Sequence, residues 1–292
     1  MYVAGVDIGG TNLKFGVFDE NGQPVYTLLR RTARGGPEAI ASQIAALLSA
    51  SPTPAEMVGA GVPGSVFRPS GKINSGNLKW FGIPFGALLR EKTGLPVWID
   101  NDAEAALAAE TLPGGSCFGL ESAVYLTLGT GIGGALLING RPWRGHDNAA
   151  AELGHFVTHA GGLKCACGMN GCFEMYASAG ALTRLAGGVR ARTVIDRARD
   201  GDADMLAVLD AYAREIAIGL CSLYMIFRPQ AIVLGGGISA AGETLREAIL
   251  KSVPNAYDFT PETIHAALRF ASRGNDAGMA GAAALARMNL KP

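Results

Sequence analysis

The chain has 292 residues, which suits two lobes better than one ordinary domain. Hydrophobic residues make up 49% and charged residues 17%, so a core forms and disorder is excluded. The 25 Lys and Arg balance the 25 Asp and Glu, which excludes the basic excess that a general nucleic-acid or membrane-surface binder needs.

The 41 glycines are about twice the usual ~7% and follow no collagen period, so they mark turns and close backbone approaches. The first segment, residues 3–18, alternates apolar residues on both sides of Gly9-Gly10, and Asn21-Gly22 adds a second turn. No basic segment with an apolar run opens the chain, so a cytoplasmic protein is expected. Apolar spacing and breakers then predict a helix over 37–50, a strand over 58–62, a helix over 84–93, and a strand over 97–100 running into a helix over 103–111. Residues 124–138 repeat the opening plan: strand, Gly/Thr turn, strand, and a closing Asn139-Gly140. Asp7 and Thr127 correspond at an offset of 120 residues. An internal duplication of a phosphate-turn unit implies two related lobes. The uncharged stretch between Glu121 and Arg141 holds five glycines and reads as strand–turn–strand, not as a membrane span. Further on, helices are expected over 178–185, 192–200 and 204–227, then a strand over 231–234 and a last helix over 276–288. The division expected is a small α/β lobe over 1–115, a large lobe over 116–275, and a C-terminal helix over 276–292 packing back on the small lobe.

Asp7-Ile8-Gly9-Gly10-Thr11-Asn12 places a carboxylate at a strand end and then a glycine turn. The turn lets backbone N–H groups approach a phosphate, Thr11 adds a hydroxyl, and Asp7 suits a hydrated Mg²⁺. Gly129-Thr130-Gly131-Ile132-Gly133-Gly134 offers the same groups, and two such turns suit one polyphosphate. Either alone reads as a tight hairpin with no ligand, and it is the pairing that points to a phosphate. No helix follows the second turn and no Walker A sequence is present, so dinucleotide-fold and P-loop chemistry are excluded. Asp102 follows a buried strand and opens a helix, where an ionised carboxylate is favoured as a general base; the competing role is an N-cap. Asn101 beside it suits a hydroxyl. Cys165, Cys167 and Cys172 with His155 make a Cys₃His set for a structural Zn²⁺, with His159 as a rival fourth ligand. Glu152 and Glu174 flank that set and suit vicinal hydroxyls. The run from Asn74 to Trp80 is either a sugar-facing loop or a surface loop, and Lys14 either reaches a phosphate or is solvated.

The Asp7–Asn12 turn, Leu128-Gly129-Thr130-Gly131-Ile132-Gly133-Gly134, Glu152-Leu153-Gly154-His155 and Cys165-x-Cys167-Gly168-x-x-Gly171-Cys172-x-Glu174 together resemble the ROK family of bacterial sugar kinases and repressors. The resemblance spans the whole chain. It implies an α/β, two-lobed actin/hexokinase-like (ribonuclease H-like) fold and ATP-dependent phosphorylation of a hexose at its 6-hydroxyl, glucose first. N-acetylglucosamine, N-acetylmannosamine, fructose and allose are the alternatives, and a non-catalytic sugar sensor is a rival from another class. It implies Asp102 as general base. It puts Gly64, Asn77, Asn101, Glu152, His155 and Glu174 on sugar-contact positions, and His155, not His159, on the zinc position. Asp7, Gly9, Gly10, Thr11, Thr130, Gly131, Gly235 and Gly236 are the expected nucleotide positions. The expected partners are a hexose, ATP with Mg²⁺, and a second copy of the chain, with no nucleic acid. Asn148 and Ala151 stand where family members often carry glycine, next to the expected sugar loop.

Overall fold

The computed structural model describes residues 1–255 and 260–290. The chain forms two units. The first comprises Met1–Phe118, Pro142–Ala151 and the chain from Ser272 onward; the second comprises Gly119–Arg141 and Glu152–Ala271. Pro142–Ala151, expected in the large lobe, lies in the first unit. Its polar groups are sewn there: Arg68 N–H donates to the Asp147 carbonyl at 2.8 Å, and the Asn148 amide donates to the Val66 carbonyl at 2.9 Å.

In the first unit, β1 (Val3–Ile8) and β2 (Asn12–Phe18) form a hairpin about Gly9-Gly10-Thr11, and β3 (Pro24–Arg31) continues it. Helix α1 (Pro37–Ala50) opens with proline in its first turn, where no N–H partner is lost. β4 (Met57–Val62) runs parallel to β1. β5 (Ser65–Phe67), β6 (Lys72–Ser75) and β7 (Trp80–Ile83) make a separate antiparallel sheet where a loop was expected. Trp80 is buried and packs on Phe85 at 4.8 Å, so the aromatic of that run is core, not a sugar platform. α2 (Phe85–Thr93) stops at Gly94 in the left-handed conformation. β8 (Val97–Asn101), parallel to β4, leads into α3 (Asp102–Glu110). The main sheet therefore runs β3-β2-β1-β4-β8. β1 and β4 are apolar and buried along nearly their whole length, as strands covered on both faces must be.

The second unit repeats the plan. β9 (Ser122–Leu128) is antiparallel to β10 (Ile132–Ile138). After β11 (Arg141–Trp143) and the cysteine loop come α4 (Glu174–Ala177), α5 (Ala179–Leu185), α6 (Ala191–Arg199) and α7 (Ala203–Phe227). β12 (Ala231–Gly235) is parallel to β9, and β13 (Leu268–Phe270), reached through α8 (Gly242–Ser252) and α9 (Pro261–Ala267), is parallel to β12. The order β10-β9-β12-β13, antiparallel then twice parallel, matches β2-β1-β4-β8. The duplication read from the two glycine turns thus extends to four strands of each sheet.

The last helix, α10 (Ala277–Asn289), belongs to the first unit and lies on β1, β4 and α3. Its alanines and facing glycines permit a close approach. A Cβ at Gly5 would fall on the Met279 carbonyl, and one at Gly59 on that of Ala282. Among the described residues no helix is long and apolar enough to cross a membrane.

Candidate active site

Within each unit, strand register places several of the predicted residues at the carboxyl ends of parallel strands, where α/β sheets hold ligands. In the first unit Asp7 on β1 pairs with Gly61 on β4, and Gly61 with Asp100 on β8. The Gly9–Thr11 turn and Asn101-Asp102 therefore leave one edge together. In the second unit Thr127 on β9 pairs with Gly235 on β12, so Gly129–Gly131 and Gly235-Gly236 share an edge too.

Both turns are tight. Gly9 N–H donates to the Asn12 carbonyl at 2.9 Å, and Gly129 N–H to the Gly131 carbonyl at 3.0 Å. Gly10 and Thr11 are exposed at the tip of the first turn, as Thr130 is at the tip of the second. The Asp7 carboxylate pairs with Lys14 Nζ at 3.1 Å across the hairpin, which places Lys14 on Asp7. Gly236, at φ 83°, would put a Cβ 2.5 Å from the Leu128 carbonyl, so glycine there is required by the packing of β12 on β9.

The capping role open to Asp102 belongs to Asn101. The Asn101 Oδ1 accepts from Ala103 N–H at 2.8 Å and Glu104 N–H at 3.3 Å, and its Nδ2 donates to the Gly64 carbonyl at 3.0 Å. Asp102 is the first helical residue; its Oδ1 accepts from Ala103 N–H at 2.9 Å. Gly64 sits at φ 105° against the Asn74 backbone, so its carbonyl is fixed for Asn101. Asn77 lies in the turn between β6 and β7, its carbonyl 4.0 Å from where a Cβ on Gly10 would stand.

Behind Asp102 is a polar cluster that the sequence reading did not assemble. Arg144 Nε donates to Asp100 Oδ2 at 2.8 Å and to Glu104 Oε2 at 3.0 Å, and both carboxyls are almost wholly buried. Burial first, then the Asp100 carboxylate, pushes Glu104 up to about 9, with Arg144 opposing. The Trp98 indole donates to Asp100, and the Arg68 guanidinium stacks 3.7 Å above Trp98. The signal available was the Asp100/Glu104 spacing of four in an otherwise alanine-rich run, and the polar residue at Asn148.

In the second unit, His155, Cys165, Cys167 and Cys172 bring one ligand atom each within 4.8 Å of the others. Cys165 Sγ lies 3.6 Å from His155 Nδ1, and Cys167 Sγ 3.5 Å from Cys172 Sγ. A tetrahedral ion with Zn–S near 2.3 Å and Zn–N near 2.0–2.1 Å spaces its ligands about 3.5–3.8 Å apart, so the donor set fits Zn²⁺. His159 stacks on Tyr176 at 3.8 Å, with Nδ1 on Thr158 and Nε2 3.5 Å from Glu215, outside the set. His155 N–H donates to the Glu152 carbonyl, and Glu174 N–H to the Gly154 carbonyl. Glu152 and His155 thus stand on one short segment that a backbone hydrogen bond ties to Glu174. Cys117 is buried, whereas Cys221 is only partly so.

The chain is 36% identical to a glucokinase of Streptomyces coelicolor, over 97% of this chain and 96% of that one. A ROK family glucokinase of Streptomyces griseus, solved with glucose and AMPPNP, superposes with a TM-score of 0.83 at 32% identity, covering 99% of this chain and all of that one. The ROK hexokinase of Thermus thermophilus gives 0.82 at 34% identity, covering 97% of each chain. These structures carry the actin/hexokinase-like fold. The ROK family model matches residues 3–289, and the chain belongs to the ROK family.

Proposed function

We propose that the protein is an ATP-dependent hexose kinase whose sugar is glucose and whose product is the 6-phosphate. The observation that carries this is the pair of matching glycine turns together with Asn101, which takes the cap and leaves Asp102 at the strand end. Asp102 is the general base. The N-terminus of α3 favours its ionised form, and it takes the proton of the attacking hydroxyl as the new O–P bond forms and the bond to ADP breaks. Gly64, Asn77, Asn101, Glu152, His155 and Glu174 orient the sugar. The turns at Gly9–Thr11 and Thr130-Gly131, with Gly235-Gly236, align the phosphates through backbone N–H groups. Positioning and charge stabilisation supply most of what phosphoryl transfer needs. Mg²⁺ brought with the nucleotide would neutralise phosphate charge, with Asp7 as the carboxylate that suits it; one carboxylate plus phosphates is its usual protein environment. Zn²⁺ in the Cys₃His set would be structural, since four protein ligands leave no open position. A homodimer is supported by Met225 and Ile226, which are 70% and 67% exposed on α7.

A coupled ADP-release assay over glucose, N-acetylglucosamine, N-acetylmannosamine, fructose and allose tests the reading. Glucose should give the highest kcat/KM. ADP release with none of them would leave a sugar-binding protein without kinase activity.

A further inference from the structure

Asn148 and Ala151 are both non-glycine residues at positive φ, 68° and 65°, on the segment that leads directly into Glu152. If positive φ were the only demand, glycine would meet it at no cost. Ala151 has no polar side chain to use. Asn148 does, and it is almost completely buried. Its Nδ2 donates to Val66 O at 2.9 Å and to Asp100 Oδ1 at 3.2 Å, and its Oδ1 accepts from Arg68 Nε at 3.3 Å. The amide therefore spends both its donors and its acceptor inside the first unit and offers nothing to a ligand. Asp100 is the residue before Asn101, and its Oδ1 also accepts from Asn101 N–H at 3.2 Å. One carboxylate oxygen thus joins the Asn148 side chain to the backbone that presents Asn101 and Asp102.

We propose that Asn148 is a positioning residue of the sugar site, its buried amide tying the 144–151 segment to the end of β8 through Asp100. This rests on the kinase reading, because only there do Asn101, Asp102 and Glu152 meet one ligand. Asn148 acts through Asp100 and not by touching the sugar. Its replacement by glycine keeps the backbone conformation and deletes the tie. Ala151→Gly relieves positive φ and deletes no hydrogen bond, which makes it the control.

The test is glucose binding by calorimetry, with steady-state KM values for glucose and ATP, on wild type, Asn148→Gly, Asn148→Asp and Ala151→Gly. Losing a buried hydrogen-bond partner predicts a glucose Kd about 10-fold higher for Asn148→Gly, with the ATP KM within about twofold of wild type. Asn148→Asp keeps the shape and the Arg68 contact but sets a second carboxyl against Asp100; it should weaken glucose similarly, and it decides the matter if the glycine variant fails to fold. Ala151→Gly should bind glucose within about twofold of wild type. Wild-type glucose affinity in Asn148→Gly overturns the proposal, as does an equal loss in Ala151→Gly, which would assign the effect to the backbone alone. A wild type that binds none of the hexoses overturns the kinase reading and the proposal with it; wild-type binding with indifferent variants overturns the proposal alone.

Discussion

Glu174 Oε2 accepts the backbone N–H of Ile132 at 2.8 Å. The same oxygen occupies the space a side chain at Gly131 would need. Glu174 thus joins the cysteine loop, whose last ligand Cys172 lies two residues earlier, to the second glycine turn. A residue proposed to face the sugar also fixes a turn proposed to face the phosphates.

Glu174→Ala should therefore affect both substrates. It leaves the Ile132 N–H without its partner and frees the turn, so the KM values for ATP and for glucose should each rise about 10-fold. Glu174→Gln keeps an acceptor oxygen and should recover most of the ATP effect. An alanine variant with the wild-type ATP KM would separate the turn from the loop.

Asp102→Asn keeps the shape at the start of α3 and removes the base. A general base is worth about 10²–10⁴ in rate, so kcat should fall at least ~10²-fold while glucose still binds in calorimetry. Near wild-type kcat in this variant would remove Asp102 from the chemistry.

Much of this was legible in the sequence, because the strongest local signals coincide with the site. Proline at the start of α1, Gly94 after α2 and the turn glycines at 9, 10, 129 and 131 mark their elements by backbone chemistry alone. Cys165, Cys167 and Cys172 lie within eight residues, so their loop brings them together with little long-range information. The small sheet β5-β6-β7 was missed because its strands are three or four residues long and Asn74-Ser75-Gly76-Asn77 reads as loop. The Arg144–Asp100–Glu104 cluster was missed for another reason: its members lie 40 and 44 residues apart, and only the fold brings them together. The place of residues 142–151 in the first unit was hidden likewise, since its ties to Val66 and Asp100 span 82 and 48 residues.

Zinc loss should act on stability and sugar affinity together, because the ligands and Glu152, His155 and Glu174 share one loop. Cys167→Ser and His155→Ala should purify with well under one zinc per chain, melt lower and bind glucose more weakly. His159→Ala removes a ring stacked on Tyr176 and should keep its metal. Elemental analysis of protein prepared without chelator checks this, and absence of stoichiometric zinc in wild type would end the assignment.

Two buried carboxyls on α3 should give opposite pH signatures. At Glu110 burial works to raise the pKa, but N–H donors from Ser116, Ser272 and Arg273 and the Ser272 hydroxyl outweigh it and hold the carboxyl below its ordinary value. A lowered folded-state pKa contributes stability above the unfolded value near 4.5, lost as pH falls through the folded value. Glu110→Gln should therefore be destabilised by about 1–3 kcal/mol at pH 7, with the gap to wild type narrowing below about pH 4.5. Glu104 runs the other way. Its folded pKa is raised to about 9, so the protonated form is the one the fold favours. That stability is fully present below the unfolded value and is lost as pH rises towards 9. Glu104→Gln, which stays neutral and can still bond Asp100, should gain on wild type steadily between about pH 5 and 9. Urea unfolding of the three proteins at pH 4, 7 and 9 reads both signs at once. A Glu104→Gln curve parallel to wild type across that range would mean Glu104 is ionised beside Asp100, with Arg144 and Arg68 balancing two buried charges.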